Sequence, residues 1–77
     1  MQLKLLFFGS CADAAGNAET ENDLVENTNQ LLDQLFLLYP KLENQKFSIA
    51  VNHKIINGNF ELKDGDVVAL IPPFSGG

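Results

Sequence analysis

The sequence predicts a small α+β domain, one sheet with one main helix packed against it. Three observations carry that reading. An apolar stretch with two-residue alternation opens the chain, a leucine-rich stripe at helical spacing fills the centre, and short apolar runs broken by turn residues form the last third. The 77 residues make one domain, 1–77, near the lower size at which a single core is self-sufficient.

Leu3-Lys4-Leu5-Leu6-Phe7-Phe8 reads as a strand, with Leu3, Leu5 and Phe7 on one face and Lys4, Leu6 and Phe8 on the other. The second face is greasier than a solvated one, so another part of the fold or a partner is expected to cover it. Ser10 can cap a single helical turn through residues 11–15, and Gly16 is placed to end it. Residues 17–26 are polar apart from Ala18, Leu24 and Val25, and read as a weak edge strand or a loop.

Thr28 is the expected N-cap of the main helix. Beyond it Leu31, Leu35, Leu38 and Leu42 recur at helical spacing, flanked by Leu32, Phe36 and Tyr39. Gln30, Asp33, Gln34 and Lys41 lie opposite, so the leucine stripe is expected to face the core. Pro40 disfavours helix at Tyr39, where the helix should stop or kink.

Residues 47–51 alternate, Asn52-His53 can turn, and residues 54–56 return. Asn57-Gly58-Asn59 offers another turn, and Lys63-Asp64-Gly65-Asp66 holds the Asp-Gly pair favoured in tight reversals. Val67-Val68-Ala69-Leu70-Ile71 is a continuous apolar run of strand length, expected to be covered on both faces. Pro72 and Pro73 end it, since neither can donate to a ladder.

Ten Asp and Glu stand against five Lys, with a net charge of −5. That balance argues against nucleic acid, whose phosphates need a basic surface. It suits a partner with a basic face, and it serves solubility equally well. No apolar run approaches a membrane span. The start of the chain lacks the basic region and cleavage site of a signal peptide, so the expected compartment is the cytoplasm.

Cys11 has no second cysteine to pair with, no metal-ligand spacing around it and no neighbouring cation to activate it, so it reads as a packed thiol. His53 reads as a solvent-facing turn residue. No phosphate-binding loop, CxxC or histidine pair is present, no metal site is expected, and a side-chain constellation is not what carries the chemistry.

The remaining feature is the tail, Pro72-Pro73-Phe74-Ser75-Gly76-Gly77. Two prolines impose an extended course, so residues 71–77 are expected to project from the sheet, reaching roughly 20 Å from Pro72 to Gly77. Phe74 gives the stalk one anchoring side chain, and Gly76 and Gly77 narrow it to bare backbone that fits a channel too tight for any Cβ. At average glycine usage a terminal Gly-Gly arises by chance in about one chain in 200, which makes the pair a moderate signal that the diproline stalk strengthens. The end of the tail offers an α-carboxylate, a poor electrophile until activated. Transfer to the α-phosphate of ATP would give an acyl-adenylate, from which sulfide or a thiolate could displace AMP. No ATP-binding motif is present, so another protein would perform that step.

"KLLFFG" near the start, "AVNHKII" in the middle and "LKDGDVVALIPPFSGG" at the end resemble the small subunit of molybdopterin synthase, a family of ubiquitin-like β-grasp sulfur carriers. The three blocks keep the family's order and spacing over nearly the whole chain. The resemblance implies a β-grasp fold with the first and last strands adjacent and parallel. It implies that an E1-like activating enzyme uses ATP to adenylate Gly77, which becomes a thiocarboxylate. The tail, with Pro72, Pro73, Phe74, Ser75 and Gly76, would then insert into the large synthase subunit and give its sulfur to cyclic pyranopterin monophosphate.

The family gives the catalytic side chains to the large subunit, so this chain is expected to bind no cofactor and to be no enzyme by itself. By position in the blocks, Phe8, Ile55 and Ile71 would contribute to the apolar docking patch. Ala12-Asp13 stands where many relatives carry an Arg-Glu pair, and residues 17–26 match nothing in the family pattern. Two related readings stay open: a thiamine-pathway sulfur carrier, and a ubiquitin-like protein modifier whose tail is joined to lysines.

Overall fold

The structure, a computed structural model, describes residues 1–73; Phe74, Ser75, Gly76 and Gly77 lie outside the described residues. Alternation in the opening stretch forms β1 (Gln2–Phe7), with Leu3, Leu5 and Phe7 buried. A single helical turn follows, α1 (Ser10–Ala15). Gly16 ends it at φ 76°, where its N–H reaches the Ala12 carbonyl at 2.8 Å, as the sequence predicts. Ser10 is not its cap. Gly9 holds that position at φ 51° and ψ −127°, a turn that glycine makes without strain, and no side chain caps the helix.

Residues 19–23 do form a strand, β2 (Glu19–Asp23), laid antiparallel on β1. The main helix, α2 (Thr28–Leu38), buries Leu31 and Leu35. Its N-cap is Asn27, whose side chain accepts from the Gln30 N–H at 2.9 Å. Thr28 is displaced from that role because its hydroxyl is used elsewhere. It accepts from the Phe60 N–H at 3.0 Å and donates to Asn59 Oδ1 at 3.3 Å, tying the helix to the loop before β5.

Tyr39 closes α2, with its N–H on the Leu35 carbonyl and its ring edge-on to Phe7 at 5.9 Å. A 3-10 turn (Pro40–Asn44) then carries Leu42 into the core. The helical spacing that would unite Leu38 with Leu42 is broken at Tyr39. Leu38, the last helical residue, is 62% exposed instead of core-facing.

β3 (Ser48–Val51) and β4 (Lys54–Ile56) form the hairpin expected around Asn52-His53, both of which adopt positive φ. The Asn52 amide holds that turn to the start of the last strand. Its Oδ1 accepts from the Val67 N–H and its Nδ2 donates to Asp66, both at 2.9 Å. The apolar run becomes β5 (Val67–Ile71), which stops at Pro72. Val68, Ala69 and Leu70 are buried, whereas Val67 and Ile71 are only half-buried, so the second face is covered less than the sequence suggests.

The sheet order is β2-β1-β5-β3-β4, with β1 and β5 parallel at its centre and the other neighbours antiparallel. Leu3, Leu5, Phe7, Val51, Val68 and Leu70 join Leu31, Leu35 and Leu42 in one core between the sheet and the helices. This mixed sheet with a helix across one face is the ubiquitin-like β-grasp architecture. No helix among the described residues is long and apolar enough to cross a membrane.

Candidate functional site

The helices cover one face of the sheet, and pairing register defines what the other face presents. Leu6 stands opposite Ala69, Ala69 opposite Ala50, and Ala50 opposite Ile55. Opposed residues share a face, so these four make one apolar row across four strands. Two residues further along β5, on the same side, lies Ile71, opposite Ser48. Alternation carries Phe8 to this side as well, two residues beyond Leu6, where its N–H reaches the Leu70 carbonyl at 3.1 Å.

Phe8, Ile55 and Ile71, expected in a docking patch, therefore share the open face. Phe8 is 47% exposed, Ile55 59% exposed and Ile71 half-buried. The small side chains of Ala50 and Ala69 lie low between them and leave a shallow apolar floor. Exposed aromatic and branched aliphatic side chains gathered on one sheet face are the mark of a contact surface rather than of a core.

The root of the tail leaves from the same corner. β5 ends at Ile71, Pro72 is half-buried and Pro73 is exposed. Pro72 packs on Gly9, where a Cβ would come within 3.0 Å of the proline Cγ. A side chain at position 9 would collide with the base of the stalk. Hydrophobic periodicity does not reveal Gly9; a glycine directly after an apolar strand end is the signal that could. Phe74, Ser75, Gly76 and Gly77, the remaining tail residues, lie outside the described residues.

The other singled-out residues stand apart from this corner. His53 is exposed on the hairpin at φ 74°, at the opposite end of β5 from the tail. Cys11 is fully buried in α1, and burial pushes its thiol up from the usual range, disfavouring the reactive thiolate.

A family model, that of the ThiS family, matches residues 5–77 of the chain. The chain belongs to the ThiS family. Among relatives of this ThiS-family chain, the molybdopterin synthase sulfur carrier subunit of Chlamydomonas reinhardtii is 36% identical over 83 aligned residues, covering all of both proteins. The Escherichia coli subunit of the same name is 32% identical over 97% of this chain and 99% of its own.

Solved structures agree. The Pyrococcus furiosus protein assigned as molybdopterin converting factor subunit 1 superposes with a TM-score of 0.86 at 28% identity, covering 95% of this chain and 98% of that one. Small archaeal modifier protein 1 of Methanosarcina acetivorans gives 0.83 at 25% identity over 99% of this chain and 96% of its own. A Helicobacter pylori chain, solved in a complex of subunits 1 and 2 of molybdopterin-converting factor, gives 0.73 at 28% identity with both chains fully covered.

Proposed function

We propose that this ThiS-family chain is the sulfur-carrying small subunit of molybdopterin synthase and works in the cytoplasm. The observation that carries the reading is its end-to-end likeness to the Chlamydomonas sulfur carrier subunit. The apolar open face and the proline stalk rooted beside it fit that role, because a carrier needs a surface to be held by and an end to offer.

In this reading an E1-like enzyme binds the body and ATP. The Gly77 carboxylate attacks the α-phosphorus, pyrophosphate leaves, and an acyl-adenylate forms. Hydrosulfide displaces AMP and leaves the thiocarboxylate directly; a persulfide donor displaces AMP to form an acyl disulfide, which a second thiol cleaves, releasing the thiocarboxylate and leaving a disulfide on the donor side. The body then docks through Phe8, Ile55 and Ile71 on the large subunit, and Pro72, Pro73, Phe74, Ser75 and Gly76 lead the sulfur into a channel. There it passes to cyclic pyranopterin monophosphate. The carrier supplies reach and the reactive group, and the large subunit supplies the catalytic side chains. No cofactor resides in the carrier.

Incubation with the activating enzyme, ATP and a sulfur donor should exchange one carboxylate oxygen for sulfur in the intact mass. An unchanged mass, under conditions that convert an established carrier, would overturn the proposal. A second reading, protein modification, draws on the likeness to the Methanosarcina modifier. It calls for branched adducts between Gly77 and lysines of other proteins after ATP-dependent conjugation. Their absence, with the thiocarboxylate present, leaves the sulfur carrier alone.

A further inference from the structure

We infer that Asn57 is a site of spontaneous covalent modification: its side-chain amide is lost through a ring closed by the Gly58 nitrogen, leaving aspartate or isoaspartate beyond the end of β4, and the isoaspartate form loosens the anchor of α2. The site is independent of the sulfur-carrier reading, which makes no use of the Asn57-Gly58 turn.

Such a loss needs a side-chain amide free to turn toward the main chain, a following N–H that nothing holds, and room for the ring to close. The chain has eight asparagines, and glycine follows only Asn57. Gly58 brings no Cβ to crowd its own nitrogen, and no atom lies within 4 Å of where a Cβ would stand. Both residues are exposed and lie past the last residue of β4. Among the described residues neither the Asn57 amide nor the Gly58 N–H has a hydrogen-bond partner.

Other asparagines are held. Asn52 commits its amide to the Val67 N–H and to Asp66. Asn59 Oδ1 accepts from the Asn29 N–H at 2.9 Å and from the Thr28 hydroxyl at 3.3 Å, and the N–H that follows it, on Phe60, is tied to Thr28 Oγ1. Asn27 caps α2, and the Gln45 N–H after Asn44 reaches the Leu42 carbonyl.

Base removes the Gly58 N–H proton, and the nitrogen attacks Asn57 Cγ. The Cγ–Nδ2 bond breaks, Nδ2 takes up a proton and leaves as ammonia, and a succinimide ring remains. Water then opens it. Attack at Cγ restores the main chain and gives aspartate. Attack at the Asn57 main-chain carbonyl gives isoaspartate, with the chain routed through Cγ. One water enters and one ammonia leaves, with no change of oxidation state. Either product adds a negative charge. Isoaspartate also lengthens the main chain by one carbon, two residues before the Asn59 side chain that holds Thr28 and Asn29 at the start of α2. A longer connection relaxes that tie, whereas aspartate leaves it in place.

Peptide mapping of the full chain after prolonged incubation at mildly alkaline pH tests this, with an L-isoaspartyl methyltransferase and labelled S-adenosylmethionine marking isoaspartate. The label, and the mass change of an NH replaced by an O, should gather at residue 57 and rise with hydroxide. The folded chain should react within about tenfold of a synthetic peptide of residues 54–60, the factor that about 1.4 kcal/mol of local opening imposes. Faster loss at another asparagine, or protection beyond that factor, overturns the site. No variant enters this part, so a poorly folded one does not blunt it. The isoaspartate fraction, isolated chromatographically, should unfold at lower urea than Asn57→Asp, which carries the same charge on an unaltered main chain. Equal midpoints overturn the loosened anchor.

Discussion

Gly9 and Pro72 touch across the end of the central strand pair, with no room between them for a Cβ. The contact joins the turn after β1 to the root of the tail, and two constraints meet at the glycine. Its φ of 51° disfavours other residues, and its neighbour leaves no space for one. Gly9→Ala is expected to cost about 1–3 kcal/mol in urea unfolding. The same change made on a Pro72→Ala background should cost less, since the obstructing Cγ is gone. Equal costs in the two backgrounds would mean that backbone strain alone is responsible.

Phe8 stands 47% exposed at the tail corner. Phe8→Lys should leave the amide spectrum of the body native and raise the large-subunit Kd at least about tenfold, as loss of a central aromatic anchor does. Unaltered affinity by calorimetry would remove Phe8 from the interface.

His53 occupies the second turn position of the β3–β4 hairpin at φ 74°, where the left-handed region is costly for a residue with a Cβ. His53→Gly should therefore stabilise the domain, by about 0.5–1 kcal/mol after the greater freedom of glycine in the unfolded chain is counted. Loss of stability in denaturant titration would point to a favourable role of the imidazole that its exposed position does not suggest.

Cys11 is sealed in the core, and its thiol is pushed upward by burial. The thiolate forms more readily in the unfolded chain than in the folded one. Stability from the neutral thiol is complete below the ordinary thiol range and falls as pH rises through and above it. The slope of stability against pH on the alkaline side should flatten in Cys11→Ala. In native protein, alkylation by iodoacetamide should await unfolding; rapid labelling at neutral pH would contradict the burial.

Much of this arrangement is legible in the order of the residues. The alternation of Leu3, Leu5 and Phe7 separates core from open face, and the same alternation marks Phe8 as too apolar for solvent. Turn chemistry locates the hairpin at Asn52-His53 and the reversal at Gly65. β2 is faint because Glu-Thr-Glu-Asn-Asp has no apolar face. It is a strand because β1 offers an edge to pair with, a tertiary effect that outweighs local propensity.

Thr28 and Asn27 are both cap-forming types, and only the distant loop at Asn59 and Phe60 decides which one caps. Leu38 misleads because a helical wheel assumes the helix continues, whereas Tyr39 turns the chain aside. The shared face of Phe8, Ile71 and Ile55 depends on β5 lying between β1 and β3, and strand order is invisible to periodicity. Only the family resemblance points to it.

The place of β5 has a consequence for biosynthesis. Of the five described strands β1 is synthesised first, and the neighbour that completes it, Val67–Ile71, is synthesised last. Until then the nascent chain holds two half-sheets with nothing to bridge them, and closure waits on a long-range contact. A prematurely terminated product would lack the central plank and remain a target for proteolysis. A body with its sheet closed is therefore one in which the strand that leads into the tail is already in place.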